Sequence, residues 1–176
     1  MRKIKLLAFT CAMLMAAAVP ATAAETIKLG VAGAHSGNLA GYGQGTLNAA
    51  HILVDQANAA GGVAGGKMIE IVAQDDQCKP ELASTAASRL ISENVNVVIG
   101  HICTGATQAA LPLYAESKVV AISPSSTAPA LTQSGKNPTF FRTIASDDDQ
   151  ARIAVQCLEE VIKVKKVAIM HLSLIP

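Results

Sequence analysis

The 176-residue sequence predicts an α/β fold built on a doubly wound parallel sheet. Strand-like and helix-like segments alternate along the chain almost without interruption, which is typical of repeated strand–helix units. In addition, residues 95–99 (Val-Asn-Val-Val-Ile) form an apolar run of the kind that is buried in parallel sheets. These two observations together favour a layered domain with helices packed on the sheet.

The first half of the chain predicts two strand–helix units. In chain order these are strand 26–32, helix 43–60, strand 68–73 and helix 80–93. The first helix is predicted because apolar residues recur on one helical face, at Leu47, Ala50, Val54 and Ala57. Gly61 follows as a typical helix end, and Pro80 suits the first turn of the second helix.

The second half continues the alternation. Its predicted elements are strand 95–99, helix 104–115, strand 119–122, strand 140–143, helix 147–162 and strand 166–170. A stretch rich in Ser, Thr and Pro separates two of the strands, from Ser123 to Asn137. The helix from Asp147 has an acidic first turn, which complements the positive end of the helix dipole.

The N-terminal segment predicts export from the cytoplasm. Arg2, Lys3 and Lys5 precede an apolar run from Leu6 to Val19, and the small residues Ala21-Thr22-Ala23-Ala24 follow. This is the layout of a secretory signal peptide over residues 1–24, and the run is short for a membrane span of about 20 residues. We therefore expect a periplasmic protein that does not insert into the membrane after cleavage.

Charge and cysteine content narrow the class of protein further. Without residues 1–24 the chain has 11 Lys and Arg against 13 Asp and Glu, a net charge of −2. This balance offers no electrostatic footprint for nucleic acid, so a small molecule or another protein is the expected partner. Three cysteines remain (Cys78, Cys103 and Cys157), and in an oxidising compartment two are expected to pair.

Polar and flexible residues follow the carboxyl ends of the predicted strands, where ligands bind in open α/β sheets. Thr104 opens a helix, so its hydroxyl and the free N–H groups of the first turn can hold an anion. Thr127 can do the same from the neighbouring loop, and carbonyl oxygens around Ser125 can accept from an ammonium group. The competing interpretations are ordinary helix N-caps for the threonines and a helix-packing aromatic for Tyr42.

Enzyme classes fit less well. No phosphate-binding Gly-Lys-Ser/Thr loop, dinucleotide fingerprint or Gly-x-Ser-x-Gly elbow occurs, and the histidines have no metal-ligand spacing. His101 and Cys103 lie on one loop, where side chains two positions apart rarely face each other. The acidic pair Asp75-Asp76 is interpreted as loop solvation. We therefore expect no catalysis, no cofactor and no metal.

Five groups of residues match a known family. They are Ile27-Lys28-Leu29-Gly30-Val31 with Ser36-Gly37 and Tyr42-Gly43; Asn58-Ala59-Ala60-Gly61-Gly62-Val63 with Gly66-Lys67; Asp75-Asp76-Gln77-Cys78; Val98-Ile99-Gly100-His101-Ile102-Cys103; and Ile122-Ser123-Pro124-Ser125-Ser126-Thr127-Ala128-Pro129. On these motifs the chain resembles the leucine/isoleucine/valine-binding proteins of bacterial ABC importers, which have the type I periplasmic binding fold. The resemblance extends from about residue 25 to residue 171.

The resemblance implies an amino-acid ligand and a set of binding residues. Thr104 and Thr127 would bind the ligand's α-carboxylate and part of its ammonium group, and the Ser125 carbonyl would accept from the ammonium. Tyr42, Ile102 and Cys103 would line the pocket. Two positions depart from the usual pattern, because Thr104 replaces a serine and Ser125 an alanine, yet both keep the hydrogen-bonding capacity. A membrane permease would be the partner of the complete protein.

The resemblance also implies a Cys78–Cys103 disulfide, worth roughly 3 kcal/mol on chain-entropy grounds. Cys157 would then be the odd thiol, predicted to be a buried small apolar residue. Residues 25–143 would form the first ligand-binding lobe, and residues 144–176 the hinge and the beginning of a second lobe, here cut short. On this basis we expect the polypeptide alone to bind leucine weakly or not at all.

Two further interpretations stay open at this point. The same fold serves as the ligand-binding module of receptors, which would make the chain part of a sensor. Alternatively, residues 172–176 replace the loop usual in the family, and a frameshift or misplaced stop would make the chain a non-functional fragment.

Overall fold

The computed structural model describes residues 26–170. The predicted signal peptide and residues 171–176 lie outside this range. Five strands and five α-helices alternate: β1 Thr26–Gly33, α1 Ala40–Ala59, β2 Met68–Asp75, α2 Pro80–Ser92, β3 Val97–Ile99, α3 Thr104–Glu116, β4 Val120–Ser123, α4 Ala130–Gln133, β5 Phe140–Arg142 and α5 Asp147–Gln156. A π-helical segment, Cys157–Ile162, continues α5.

The five strands form one sheet in the order β2-β1-β3-β4-β5, and every neighbouring pair is parallel. The chain moves outward from β1 to β2 and then crosses back to β3 on the other side of β1. Right-handed crossovers therefore place α1 on one face of the sheet and α2 and α3 on the other. The predicted doubly wound parallel sheet is confirmed.

The hydrophobic core lies between the sheet and the pair α2 and α3. Its members are fully or almost fully buried and include Leu90, Val98, Leu111, Tyr114 and Phe140. By contrast, α1 buries only Gly43 and Val54. The apolar run predicted at residues 95–99 is accordingly a central strand, with Val98 at 0 % exposure.

Two predictions for the C-terminal part are wrong. Residues 166–170 do not form a strand, and Ile169 and Met170 are 91 % and 96 % exposed. A strand needs a neighbouring strand to bond its backbone groups, and none lies beside this segment within residues 26–170. Cys157 is exposed rather than buried. The reason is that α5 and the π-helical segment have no buried residue, since no other element within residues 26–170 covers them.

Candidate functional site

The candidate site lies at the carboxyl ends of β1 and β3, where the strand order reverses. A cavity of about 370 Å³ opens there, and it is lined by Leu39, Tyr42, Ile102, Cys103 and Ser125. Four of the six residues predicted to bind ligand therefore share one cavity, and Leu39 is a lining residue that the sequence did not indicate. Tyr42 is 76 % exposed, so the cavity is open on that side.

The loop between β1 and α1 is held by the carboxylate of Asp75, the last residue of β2. This carboxylate accepts hydrogen bonds from the backbone N–H groups of His35 (2.8 Å), Ser36 (3.3 Å) and Gln77 (3.0 Å), and from the Ser36 hydroxyl. Partial burial raises the pKa of Asp75, but these hydrogen bonds outweigh it and leave the pKa below its ordinary value. The anchored loop leads directly into the first turn of α1, where Tyr42 lies.

Within the same loop, the imidazole of His35 has a buried Nε2 with no hydrogen-bond partner among the described residues. Burial lowers the pKa of His35 below 6.5, against the opposing effect of Asp75 and Asp76 and with a smaller lowering by His101. His35 is thus neutral at neutral pH.

The predicted Cys78–Cys103 disulfide is confirmed, and its two Cα atoms are 5.4 Å apart. Because β1 separates β2 from β3 in the sheet, the bridge joins two loops across the end of β1. Cys103 lines the cavity, so the disulfide forms part of its wall. Asp76, interpreted from the sequence as loop solvation, is instead fully buried two residues before Cys78.

Thr104 is the first residue of α3, and the N-cap position belongs to Cys103. No side chain caps this helix, and the first intrahelical bond is from the Thr107 N–H to the Cys103 carbonyl at 2.9 Å. The backbone N–H groups of residues 104–106 therefore have no intrahelical acceptor. The Thr104 hydroxyl likewise has no partner within residues 26–170, so a group of donors converges at this helix end.

The loop after β4 brings Ser125 and Thr127 to the same end of the sheet. The Ser125 hydroxyl donates to the Ile102 carbonyl at 2.7 Å, which ties this loop to the one after β3. The Thr127 carbonyl accepts from the Asp147 N–H and from Arg142 Nη1, both at 3.0 Å. Arg142 is a positioning residue that the sequence did not indicate. In the part of the chain that the structure describes, the Thr127 hydroxyl has no hydrogen-bond partner.

Two glycines allow the close backbone approach on which the cleft depends. A Cβ at Gly43 would lie 2.0 Å from the Ala34 carbonyl oxygen, so only glycine lets α1 pack against the end of β1. Gly100 has a φ of +126°, and a Cβ there would lie 2.0 Å from the Ala32 carbonyl oxygen. Both positions fall in motifs that the sequence analysis singled out.

Residues 26–173 match the family model described as periplasmic binding protein. The chain belongs to this family. A curated periplasmic binding protein similar to it, the Leu/Ile/Val-binding protein of Citrobacter freundii, is 38 % identical over 148 residues, covering 84 % of this chain and 40 % of that protein. The chain thus spans about two-fifths of the length of the curated relatives it matches.

Solved structures of other periplasmic binding proteins have the same fold. The branched-chain amino acid transporter substrate binding protein LivJ from Streptococcus pneumoniae, in complex with isoleucine, is 34 % identical with a TM-score of 0.72, covering 78 % of this chain and 39 % of that one. A solute binding protein of an ABC transporter from Rhodopseudomonas palustris, in complex with 3,4-dihydroxy benzoic acid, is 30 % identical with a TM-score of 0.62, covering 69 % and 32 %.

The described part of this periplasmic binding protein has neither a membrane-spanning helix nor a cluster of metal-ligating side chains. Within residues 26–170 no helix is both long enough and apolar enough to cross a bilayer. The same residues contain no group of three or more His, Cys, Asp or Glu side chains arranged to hold a metal ion.

Proposed function

We propose that this chain binds an α-amino acid with a branched aliphatic side chain, as the substrate-binding component of an ABC importer in the periplasm. The observation that supports it best is the cavity at the ends of β1 and β3, where apolar side chains lie beside an uncapped helix N-terminus. The membrane permease of that importer is the proposed protein partner.

The polar end of the site suits a carboxylate. The N–H groups at the start of α3 and the hydroxyls of Thr104 and Thr127, which have no partner within residues 26–170, are hydrogen-bond donors. The first turn of α3 has no acidic residue. An anion at such a helix end gains from both the hydrogen bonds and the helix dipole. The Ser125 carbonyl is the proposed acceptor for the ligand's ammonium group.

The apolar end suits an aliphatic side chain. Leu39, Tyr42, Ile102 and Cys103 surround a volume of about 370 Å³, the size of a small-molecule pocket. With Tyr42 76 % exposed, the described residues form one wall rather than an enclosed pocket. We therefore propose that residues 25–143 are a ligand-binding lobe and that residues from 144 onward lead into a second lobe, consistent with the absence of buried residues on α5.

An aromatic carboxylic acid is the competing ligand class. The relative from Rhodopseudomonas palustris is a complex with 3,4-dihydroxy benzoic acid, which has a carboxylate but no ammonium group. The relative from Citrobacter freundii is named for leucine, isoleucine and valine binding, and it is 38 % identical to this chain. The Ser125 carbonyl favours a ligand with an ammonium group, because a carbonyl oxygen can only accept.

The test is an NMR titration of the 15N-labelled chain with L-leucine, D-leucine and 3,4-dihydroxybenzoate. Because only one wall is present, we expect weak binding of L-leucine, with a dissociation constant of about 1 mM or above, which corresponds to a binding free energy no more favourable than about −4 kcal/mol. The amide resonances of residues 102–106 and 125–127 should shift saturably with L-leucine and less with D-leucine.

Thr127→Val is the variant that tests the polar end, since it removes the hydroxyl with little change of shape. It should weaken L-leucine binding by about tenfold, as expected for a hydrogen bond to a charged group. Thr85→Val is the matched control, because Thr85 is exposed and its hydroxyl donates to the Glu81 carbonyl within α2, away from the cavity. Equal shifts for L- and D-leucine, or stronger binding of 3,4-dihydroxybenzoate, would contradict the proposed ligand class.

A further inference from the structure

A chain of three buried side chains lies behind the candidate site. Asp76, His101 and Tyr114 are 0 %, 1 % and 0 % exposed. His101 Nδ1 is 2.5 Å from Asp76 Oδ2, and His101 Nε2 is 3.0 Å from the Tyr114 hydroxyl. The other Asp76 oxygen accepts the backbone N–H of Cys78 at 2.7 Å. The site described above uses none of these three side chains directly.

The direction of the hydrogen bonds along this chain follows from the groups themselves. A carboxylate can only accept, so the Nδ1 of His101 carries the proton that faces Asp76. Burial, with the added effect of Asp76, raises the pKa of Tyr114, so the phenol keeps its proton. The Tyr114 hydroxyl has no other acceptor within residues 26–170, so it donates to Nε2, and the ring proton of His101 is the one on Nδ1.

The backbone carbonyl of the same histidine is the centre of a second cluster. The hydroxyls of Ser123 (2.5 Å), Thr107 (3.1 Å) and Ser126 (3.1 Å) surround the His101 oxygen, and all three residues are buried. The Thr107 and Ser126 hydroxyl oxygens are also 2.6 Å apart, so when one donates to the other, only the second donates to the carbonyl. Since Ser123 and Ser126 flank Ser125, this cluster fixes the loop after β4 against the loop after β3.

These side chains meet at one residue and connect three loops. We call them the His101 clamp: Asp76, His101, Thr107, Tyr114, Ser123 and Ser126. Asp76 follows β2, His101 follows β3, and the two serines end or follow β4. Residues proposed to contact ligand lie on the second and third of these loops, next to or within a few positions of clamp residues: Ile102, Cys103, Thr104, Ser125 and Thr127.

We propose that the His101 clamp positions the ligand site. It fixes the three loops relative to one another, so that their hydrogen-bond donors converge on one ligand. The proposal rests on the proposed function above for its ligand, but it concerns residues that do not touch that ligand. Buried hydroxyls are costly unless they are hydrogen-bonded, and those of Thr107, Ser123 and Ser126 share one acceptor, the His101 carbonyl on the loop after β3. A role in fixing the relative positions of the loops accounts for their convergence on a single carbonyl.

Three measurements test the clamp: the tautomer of His101, the affinity for L-leucine, and the equilibrium constant for forming the Cys78–Cys103 disulfide. In the 15N spectrum of the wild-type chain, His101 should be protonated at Nδ1 and not at Nε2. Ser126→Ala and Tyr114→Phe each remove one hydroxyl and should raise the dissociation constant of L-leucine about fivefold at temperatures far below unfolding. The control Ser88→Ala removes a hydroxyl that bonds the Ser84 carbonyl on α2 and should leave affinity unchanged.

A purely structural role predicts a different result. In that case the variants would lower the melting temperature yet bind L-leucine within about twofold of the wild type, and this outcome would overturn the proposal. An Nε2–H tautomer of His101 would overturn the side-chain half of the clamp.

The disulfide equilibrium separates failure of the clamp from failure of the proposed function. Asp76 and His101 each lie two residues before a bridged cysteine, so their contact should favour the Cys78–Cys103 bond. In a Cys157→Ala background, Tyr114→Phe and Asp76→Asn should lower the equilibrium constant for disulfide formation against glutathione about fivefold. If the wild type does not bind L-leucine, the proposed function fails, and an unchanged disulfide equilibrium would then refute the clamp as well.

Discussion

Removing the Cys78–Cys103 disulfide should cost a large part of the free energy of unfolding of a domain of this size. The bridge joins residues 25 positions apart. Closing a loop of that length lowers the entropy of the unfolded chain by about 12 cal/mol/K, which corresponds to about 3.5 kcal/mol at 25 °C. Since the bridge constrains the unfolded state, its loss should also steepen the dependence of stability on urea.

The measurement is urea unfolding of Cys78→Ala/Cys103→Ala in a Cys157→Ala background, where no thiol remains to exchange. The Cys157→Ala chain with its disulfide reduced provides a second comparison, because it differs from the oxidised chain only in the bridge itself. Cys157→Ala alone is the matched control, because Cys157 is exposed and unpaired in the structure. Its free energy of unfolding should change by less than about 0.5 kcal/mol.

The reasoning would be refuted by a loss below about 1 kcal/mol in the double variant, or by an unchanged urea slope. The first result would mean that the two loops are held together without the bridge. The second would mean that the unfolded chain remains compact when the bridge is absent.

Three further outcomes are expected. Gly43→Ala should destabilise the protein by more than about 3 kcal/mol in urea unfolding, because its Cβ would lie 2.0 Å from the Ala34 carbonyl oxygen. The control Gly45→Ala has open space around its Cβ and should be neutral or stabilising. His35 should titrate below pH 6.5 by NMR, because its pKa is lowered in the folded state. Its stabilising contribution is therefore complete above pH 6.5 and is lost as the pH falls through the folded-state pKa. His35→Leu should weaken the pH dependence of the free energy of unfolding in that range. Ser146→Ala should lower the free energy of unfolding by about 1 kcal/mol, because the Ser146 hydroxyl accepts the Asp149 N–H in a capping box. A loss below a few tenths of a kcal/mol in urea unfolding would contradict this role.

The sequence predicted best those elements whose boundaries are marked by particular residues and whose buried face shows in the apolar pattern. Pro80 marks the beginning of α2, and Thr104 that of α3, in both prediction and structure. The beginning of α1 was predicted at Gly43 and lies at Ala40, because glycines in the first turns weaken the helical signal. The short helix α4 has only four residues, too few for any periodicity.

The features that the sequence did not reveal depend on contacts between distant parts of the chain. Residues 166–170 have strand composition, but a strand forms only beside a partner. Asp75 and Asp76 are adjacent acids with the same local signal, yet Asp75 is exposed and Asp76 is fully buried against His101. Arg142 contacts Thr127 across 15 positions, and only the folded sheet brings the two together.

Part of the candidate site could be predicted as well, because the order of the strands decides which loops lie together. Tyr42, Ile102, Cys103 and Ser125 follow strands whose carboxyl ends meet at one edge, so topology alone brings them close. Whether the free donors at Thr104 and Thr127 bind a ligand stays a prediction until the titration described above is done.

The Thr127 carbonyl connects the loop after β4 to the helix α5. It accepts from the Asp147 N–H, the first residue of α5, and from Arg142 at the end of β5, each at 3.0 Å. Moving the start of α5 away by about 0.5 Å would stretch the first of these bonds to the limit of hydrogen bonding. We therefore expect a displacement of the start of α5 to move the loop that carries Thr127, at the edge of the cavity.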